Sequence, residues 1–131
     1  MRLLLDTHIW LWSLLDPERL GPKTARLIED PDEEKWLSPI TIWETLMLAE
    51  RRRVSLEPDA HEWVRAQLGR LPVSEAPLTT EVAIESRRLK VASDDPADRF
   101  LAATARVYDL TLVTADARLH RIAGVAVLPN V

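Results

Sequence analysis

The chain has 131 residues, 47% of them hydrophobic and 29% charged, with a formal net charge of −4 at pH 7. That length holds one domain with a real core and is short for two, and the composition excludes a disordered or low-complexity chain. The lack of cysteine excludes disulfides and thiolate metal sites, the three scattered histidines exclude a zinc cage, and no apolar run approaches the roughly 18 residues of a membrane span.

The first strand-like run begins at Met1 and leaves no room for a signal peptide, so the expectation is a cytoplasmic protein of a single domain over residues 1–131. Leu3, Leu4 and Leu5 form a continuous apolar run, the pattern of a strand buried on both faces of a parallel sheet, and Asp6 ends it. Ile9, Trp10, Leu11, Trp12, Leu14 and Leu15 cover most of a helix over 7–15, which stops near Asp16 and Pro17. Pro22, after Gly21, opens a second helix over 22–29, and a polar loop follows over 30–35. Trp36 and Leu37 make a short strand. Ser38 then caps a helix with Pro39 in its first turn, running to about Arg53 and carrying Glu44.

Further along, the pattern predicts a helix over 58–68, a short strand over 71–73 and a helix from Thr79 or Thr80 to Lys90. Asp95-Pro96 is a helix start, with Asp95 as N-cap, Pro96 at the first position and Asp98 at the third. Small residues over 97–107 let that helix approach a sheet closely. A β-branched and apolar strand over 110–113 precedes Thr114-Ala115-Asp116, and a last strand is expected over 125–128. Strands alternating with helices imply an α/β sandwich around a mostly parallel sheet, in which ligands bind outside the carboxyl ends of the strands. Asp6 and Asp116 both fall there.

Four acidic residues, Asp6, Glu44, Asp98 and Asp116, sit at element ends or on an apolar border. Helix capping accounts for Asp6 and Asp116 taken singly, and Asp98 meets the positive end of its helix. Glu44 lies beside Ile40, Trp43, Met47 and Leu48, where the ordinary alternative is a salt bridge to Arg51. As a set they point to a hard divalent cation, because a buried carboxylate costs several kcal/mol unless it is paired or coordinated, and Mg²⁺ or Mn²⁺ takes oxygen ligands. Such an ion orients water and stabilises charge on a phosphoryl oxygen, which fits phosphodiester hydrolysis. Thr114 is placed to orient a carboxylate or water, and His8 is either a substrate contact or a surface residue. Arg51, Arg52 and Arg53 suit phosphate and equally suit a solvated helix end, while the net charge argues mildly against sequence-independent nucleic-acid binding. Trp10, Trp12 and Trp43 are favoured as core over lining a partner groove.

The segments LLLDTHIWLW, SPITIWE, DPADRFLAATA and LVTADARL, in that order from Arg2 to about Leu119, together resemble PIN-domain proteins and, more narrowly, VapC-type toxins of toxin–antitoxin systems. Matched motif by motif, Asp6, Glu44, Asp98 and Asp116 correspond to that family's acidic quartet, with Asp6 and Asp98 foremost as metal ligands, and Thr114 to its small hydroxyl residue. The resemblance implies a three-layer α/β/α fold, Mg²⁺- or Mn²⁺-dependent endoribonuclease activity on RNA, a homodimer and inhibition by a cognate antitoxin. Arg52 departs from the pattern, since many relatives carry glycine just after the Glu helix. An aspartyl-phosphate phosphatase is disfavoured because His8 stands where a second Asp is expected, and a receiver domain because the early acidic pair and a strand-end lysine are missing. The alternative of a different class is a catalytically silent module that binds an antitoxin or RNA.

Overall fold

Three consecutive leucines place β1 (Arg2–Leu5) at the middle of the molecule, with Leu3, Leu4 and Leu5 fully buried, as a strand covered on both faces requires. The computed structural model describes residues 1–131. β1 pairs with β2 (Glu34–Leu37) on one side and β4 (Thr111–Thr114) on the other, and β3 (Ser74–Glu75) and β5 (Ala126–Pro129) form the edges of a five-stranded sheet in the order β3-β2-β1-β4-β5. Every pairing is parallel.

The two-residue period of the strands divides the core. Leu3, Leu5 and Val113 pack with Ile9, Trp10 and Leu11 of α1 (Thr7–Leu15), Ile28 of α2 (Pro22–Glu29), and Trp63 and Val64 of α4 (Ala60–Arg70). Leu4 and Leu112 face the other way, onto Val82 of α5 (Thr80–Arg88) and Leu101, Ala102, Ala103 and Ala105 of α6 (Pro96–Tyr108). The result is the expected α/β/α sandwich, with the alanines of α6 providing the close approach. α3 (Pro39–Glu50) packs against both α1 and α6, so it spans the two helical layers. Because the chain leaves β1 toward β2 and later returns on the opposite side as β4, the crevice at their carboxyl ends is a topological switch point.

Several boundaries differ from the sequence reading for identifiable reasons. β2 begins at Glu34, within the expected loop, because Glu34 and Lys35 already pair with Arg2 and Leu3. The strand expected over 71–73 lies instead at Ser74–Glu75, opposite Trp36 and Leu37; Pro72 has no N–H to give a ladder, and the pairing falls on polar edge residues. α3 stops at Glu50 because Arg52 takes a left-handed conformation, φ 57°. α4 starts at Ala60, where the Asp59 carboxylate accepts from the Glu62 N–H at 3.0 Å. Of the three tryptophans assigned to the core, only Trp10 is fully buried; Trp12 is half-buried and Trp43 is 57% exposed.

Candidate functional site

The site is built from four separate segments. The register that sets Leu5 beside Val113 brings Asp6, the next residue, alongside Thr114 at the end of β4. Asp6 is buried, and both of its oxygens are engaged: Oδ1 accepts from the Thr7 N–H at 2.7 Å and Oδ2 from the Thr114 hydroxyl at 2.6 Å. Thr114 in turn accepts from the Asp116 N–H at 3.0 Å, so one fully buried hydroxyl ties the end of β1 to the turn after β4. Asp6 is therefore the N-cap of α1 through Oδ1, while Oδ2 is held by Thr114.

Asp98 stands in the first turn of α6, whose start follows the sequence reading: the Asp95 carboxylate accepts from the Ala97 N–H at 2.9 Å, with Pro96 at the first position. Asp98 Oδ2 accepts from the Ser93 hydroxyl at 2.7 Å. Glu44 reaches the crevice because α3 bridges α1 and α6, and the Thr7 and Thr41 hydroxyls sit together at 3.4 Å beneath it. It makes no ion pair; the salt bridge to Arg51 considered from sequence does not form. Asp116 caps a 3-10 turn over Ala117–Leu119 through the Arg118 N–H at 2.9 Å and receives the Arg118 guanidinium at 2.7 Å.

These carboxylates line one open cleft of about 410 Å³ together with His8, Trp12, Arg19, Asp95, Ala115 and Arg118. A larger cavity of about 780 Å³, between the end of α3 and the start of α4, carries Glu50 as its only carboxylate, so chemistry and not size singles out the first. Burial pushes Asp6 above the usual carboxylate range despite its bonds from Thr114 and Thr7. Asp98 is raised by burial, opposed by Ser93 and reinforced by the charges of Asp95, Asp6 and Asp116. Glu44 is raised by burial, offset in part by the Thr7 hydroxyl and added to by Asp6, Asp95 and Asp98. Asp116 alone is lowered, by its hydrogen bonds from Arg118.

Three carboxylates raised by burial and by neighbouring carboxylates form a donor set that a hard divalent cation would relieve, and carboxylate oxygens suit hard ions better than soft ones. The residues fit Mg²⁺ or Mn²⁺ in their chemistry. Their present rotamers do not converge as a ready chelate of three side chains, because Asp98 and Asp116 are turned toward Arg118 and Asp6 is held by two donors. Of the candidates named from sequence, Asp6, Glu44, Asp98 and Asp116 line the one cleft and Thr114 is bonded to Asp6; Ser93, Arg118 and Arg19 were not named, and Trp12 was named only as core or as part of a partner groove. The rim is cationic and aromatic: the Arg19 guanidinium lies 4.5 Å from the Trp12 ring centroid, and the His8 ring 5.9 Å from the same residue.

Fold and sequence together define the class: the PIN-domain family model matches residues 3–125, and the chain belongs to that family. Within it, the chain is similar to Ribonuclease VapC22 of Mycobacterium tuberculosis, 35% identical over 118 residues that span 89% of this chain and 88% of that protein. Among solved structures, VapBC2 from Rickettsia felis bound to a promoter DNA fragment superposes with a TM-score of 0.73 at 15% identity, covering 98% of each chain. FitAB bound to a DNA fragment superposes at 0.72 with 25% identity, over 98% of this chain and 94% of that one.

Proposed function

We propose that this chain is a divalent-cation-dependent endoribonuclease and the toxin of a VapBC-type toxin–antitoxin pair. The observation that carries the reading is the convergence of Asp6, Glu44, Asp98 and Asp116, from four segments, on one cleft at the carboxyl ends of β1 and β4. The 35% identity to a protein named as a ribonuclease supports the same reaction class. Asp6 and Asp98 are the principal ligands, with Asp116 and Glu44 completing the set. Bound Mg²⁺ or Mn²⁺ would supply a water of lowered pKa and neutralise charge developing on the phosphate. Thr114 holds Asp6 in one rotamer. Glu44, which makes no ion pair and is raised by burial, would take the proton of the attacking water, while the ribose oxygen released as the P–O ester bond breaks would be protonated from solvent. Arg19, His8 and Trp12 offer a phosphate clamp and a stacking face at the cleft rim.

Two protein partners belong to this reading. A cognate antitoxin is supported by the solved relatives, which are two-component complexes. A second copy of the chain is supported by the exposed Trp43 and its apolar neighbours Ile40, Met47 and Phe100 beside the cleft. Co-purification of a small neighbouring-gene product tests the first.

The test of the enzyme is cleavage of a mixed structured-RNA pool with Mg²⁺, with Mn²⁺ and with EDTA, beside folded Asp6→Asn and Asp98→Asn variants. Metal-dependent cleavage by the wild type, lost in both variants, is expected. A silent module binding antitoxin or RNA is the second reading, favoured by the pairing of Arg118 with two of the four carboxylates. Partner or RNA binding that survives EDTA, without cleavage under any condition, would establish it.

A further inference from the structure

Arg118 is the one cation within ion-pairing distance of the acidic cluster. Its Nη2 lies 2.7 Å from Asp116 Oδ2 and 3.5 Å from Asp98 Oδ2, and its Nε donates to both Asp116 oxygens at 3.1 and 3.2 Å. With the Arg118 backbone N–H also on Oδ1, both oxygens of Asp116 accept from Arg118. The guanidinium thus does for two of the carboxylates what a divalent ion does for such a cluster. The two counter-ions compete, since lone pairs committed to N–H donors are not free for a metal.

The surroundings let the competition be resolved by movement of one side chain. The Arg118 side chain is 57% exposed, while Leu119, the next residue of the 3-10 turn, is fully buried and anchors the backbone. The guanidinium can therefore leave without opening the core. It remains at the mouth of the same cleft, near Arg19 and His8, and the planar fork that fits a carboxylate also fits a phosphate bidentately.

Resting on the nuclease reading above, we propose that Arg118 is an exchanging positioning residue: it holds Asp98 and Asp116 while the cation is absent, yields them when the cation enters, and then engages the RNA phosphate. Metal loading and substrate positioning are thereby coupled through one side chain.

The test is calorimetric titration of Mn²⁺ into wild type, Arg118→Ala and Arg118→Lys, each shown to be folded by circular dichroism, followed by steady-state cleavage of RNA. Removing a competing exposed ion pair should tighten Mn²⁺ binding about fivefold in Arg118→Ala, with Arg118→Lys between the two. The same Ala variant should raise KM for RNA more than it lowers kcat, and Lys should restore KM in part. Mn²⁺ binding that is unchanged or weaker in Arg118→Ala, beside a wild type that binds, overturns the exchange and leaves the nuclease reading standing. Absence of Mn²⁺ binding in all three proteins overturns both.

Discussion

Thr114 and Asp6, 108 positions apart in sequence, are joined by a hydrogen bond of 2.6 Å from the threonine hydroxyl to the carboxylate, the one side chain to side chain link between the ends of β4 and β1. The same hydroxyl accepts from the Asp116 N–H at 3.0 Å, so its donor and acceptor capacities are both used. Thr114→Val keeps the shape and deletes both bonds. It should destabilise the fold by about 1–3 kcal/mol, the range for stranding buried partners, and free the Asp6 rotamer. Cleavage should fall roughly tenfold, as for loss of a group that orients a metal ligand. Thr114→Ser, which restores the hydroxyl, should recover most of both, as read by denaturant melts and kcat/KM.

Stability and acidity should be linked through the cluster. Asp6, Glu44 and Asp98 all have raised values in the folded protein, so the native state holds their protons more tightly than the unfolded chain does. Their contribution to stability is complete below the ordinary values of 3.8 for Asp and 4.5 for Glu, and is lost as pH rises through the raised ones. Asp116, lowered by Arg118, works oppositely: its contribution is present above 3.8 and lost as pH falls through the depressed value. Three groups against one predict a metal-free protein that is more stable at mildly acidic than at neutral pH. Added Mg²⁺ should reverse that slope by favouring the ionised carboxylates. Thermal melts in EDTA and in Mg²⁺, from about pH 4 to pH 8, check the sign; a flat EDTA profile would refute it.

A related trade-off concerns Asp98→Asn. The amide removes a carboxylate charge from a buried site while leaving an oxygen to accept from Ser93. In EDTA at neutral pH this variant should melt a few degrees above wild type, and in Mg²⁺ it should gain nothing. Wild type should gain with Mg²⁺, so the order of the two reverses. Loss of the Arg118 contact matters little, because it is long, at 3.5 Å, and its guanidinium is solvent-exposed, which keeps such a pair as weak as a surface contact.

Arg52, marked by the family resemblance as a departure from an expected glycine, has a φ of 57°, the left-handed region that favours glycine, where it ends α3 and turns the chain toward α4. A β-carbon in that conformation costs about 1–2 kcal/mol, and part of it is repaid because glycine has more freedom to lose on folding. Arg52→Gly should therefore stabilise the protein by about 0.5–1 kcal/mol in denaturant melts. The arginine also lines the cavity between α3 and α4, so a rise in KM for RNA in this variant would identify it as a phosphate contact.

The parts of the fold legible in sequence were those fixed by local pattern. The leucine triplet, the β-branched run before Thr114 and the Asp95-Pro96 cap each specify an element without reference to the rest of the chain, and each is present. β3 was misplaced because a two-residue edge strand of exposed Ser74 and Glu75 carries no apolar signal. The convergence of the carboxylates was legible only as a set, since no local feature of Glu44 reveals that α3 would span two helical layers. Arg118 had a signal that went unused: in a short turn, a residue two positions after a capping Asp can donate back to it through both backbone and side chain. Ser93 had none, because its role depends on a bend that folds it onto Asp98.

Trp43, favoured from sequence as core with a partner groove as the alternative, is 57% exposed, a large apolar side chain open to solvent beside the cleft. Ile40, Met47 and Phe100 surround it, Pro96 and Ala97 extend the depression, and the adjoining Glu44 and Asp95 belong to the acidic cleft. A second copy docking here would set two clefts side by side and would bury the indole, the kind of aromatic anchor that dominates interfaces. Replacing Trp43 with Asp adds a charge that must be desolvated in the dimer; in the monomer the position is more than half exposed, so the added carboxylate, although next to Glu44, stays in water. Loss of such an anchor is worth about 2 kcal/mol or more, roughly 30-fold in the dimer dissociation constant. Light scattering should show dimer for wild type and a shift toward monomer for Trp43→Asp at equal concentration, with the circular dichroism unchanged. A wild type that stays monomeric at every concentration would remove the dimer, and would leave this patch to the antitoxin, which a pull-down with the same variant would then detect as lost binding.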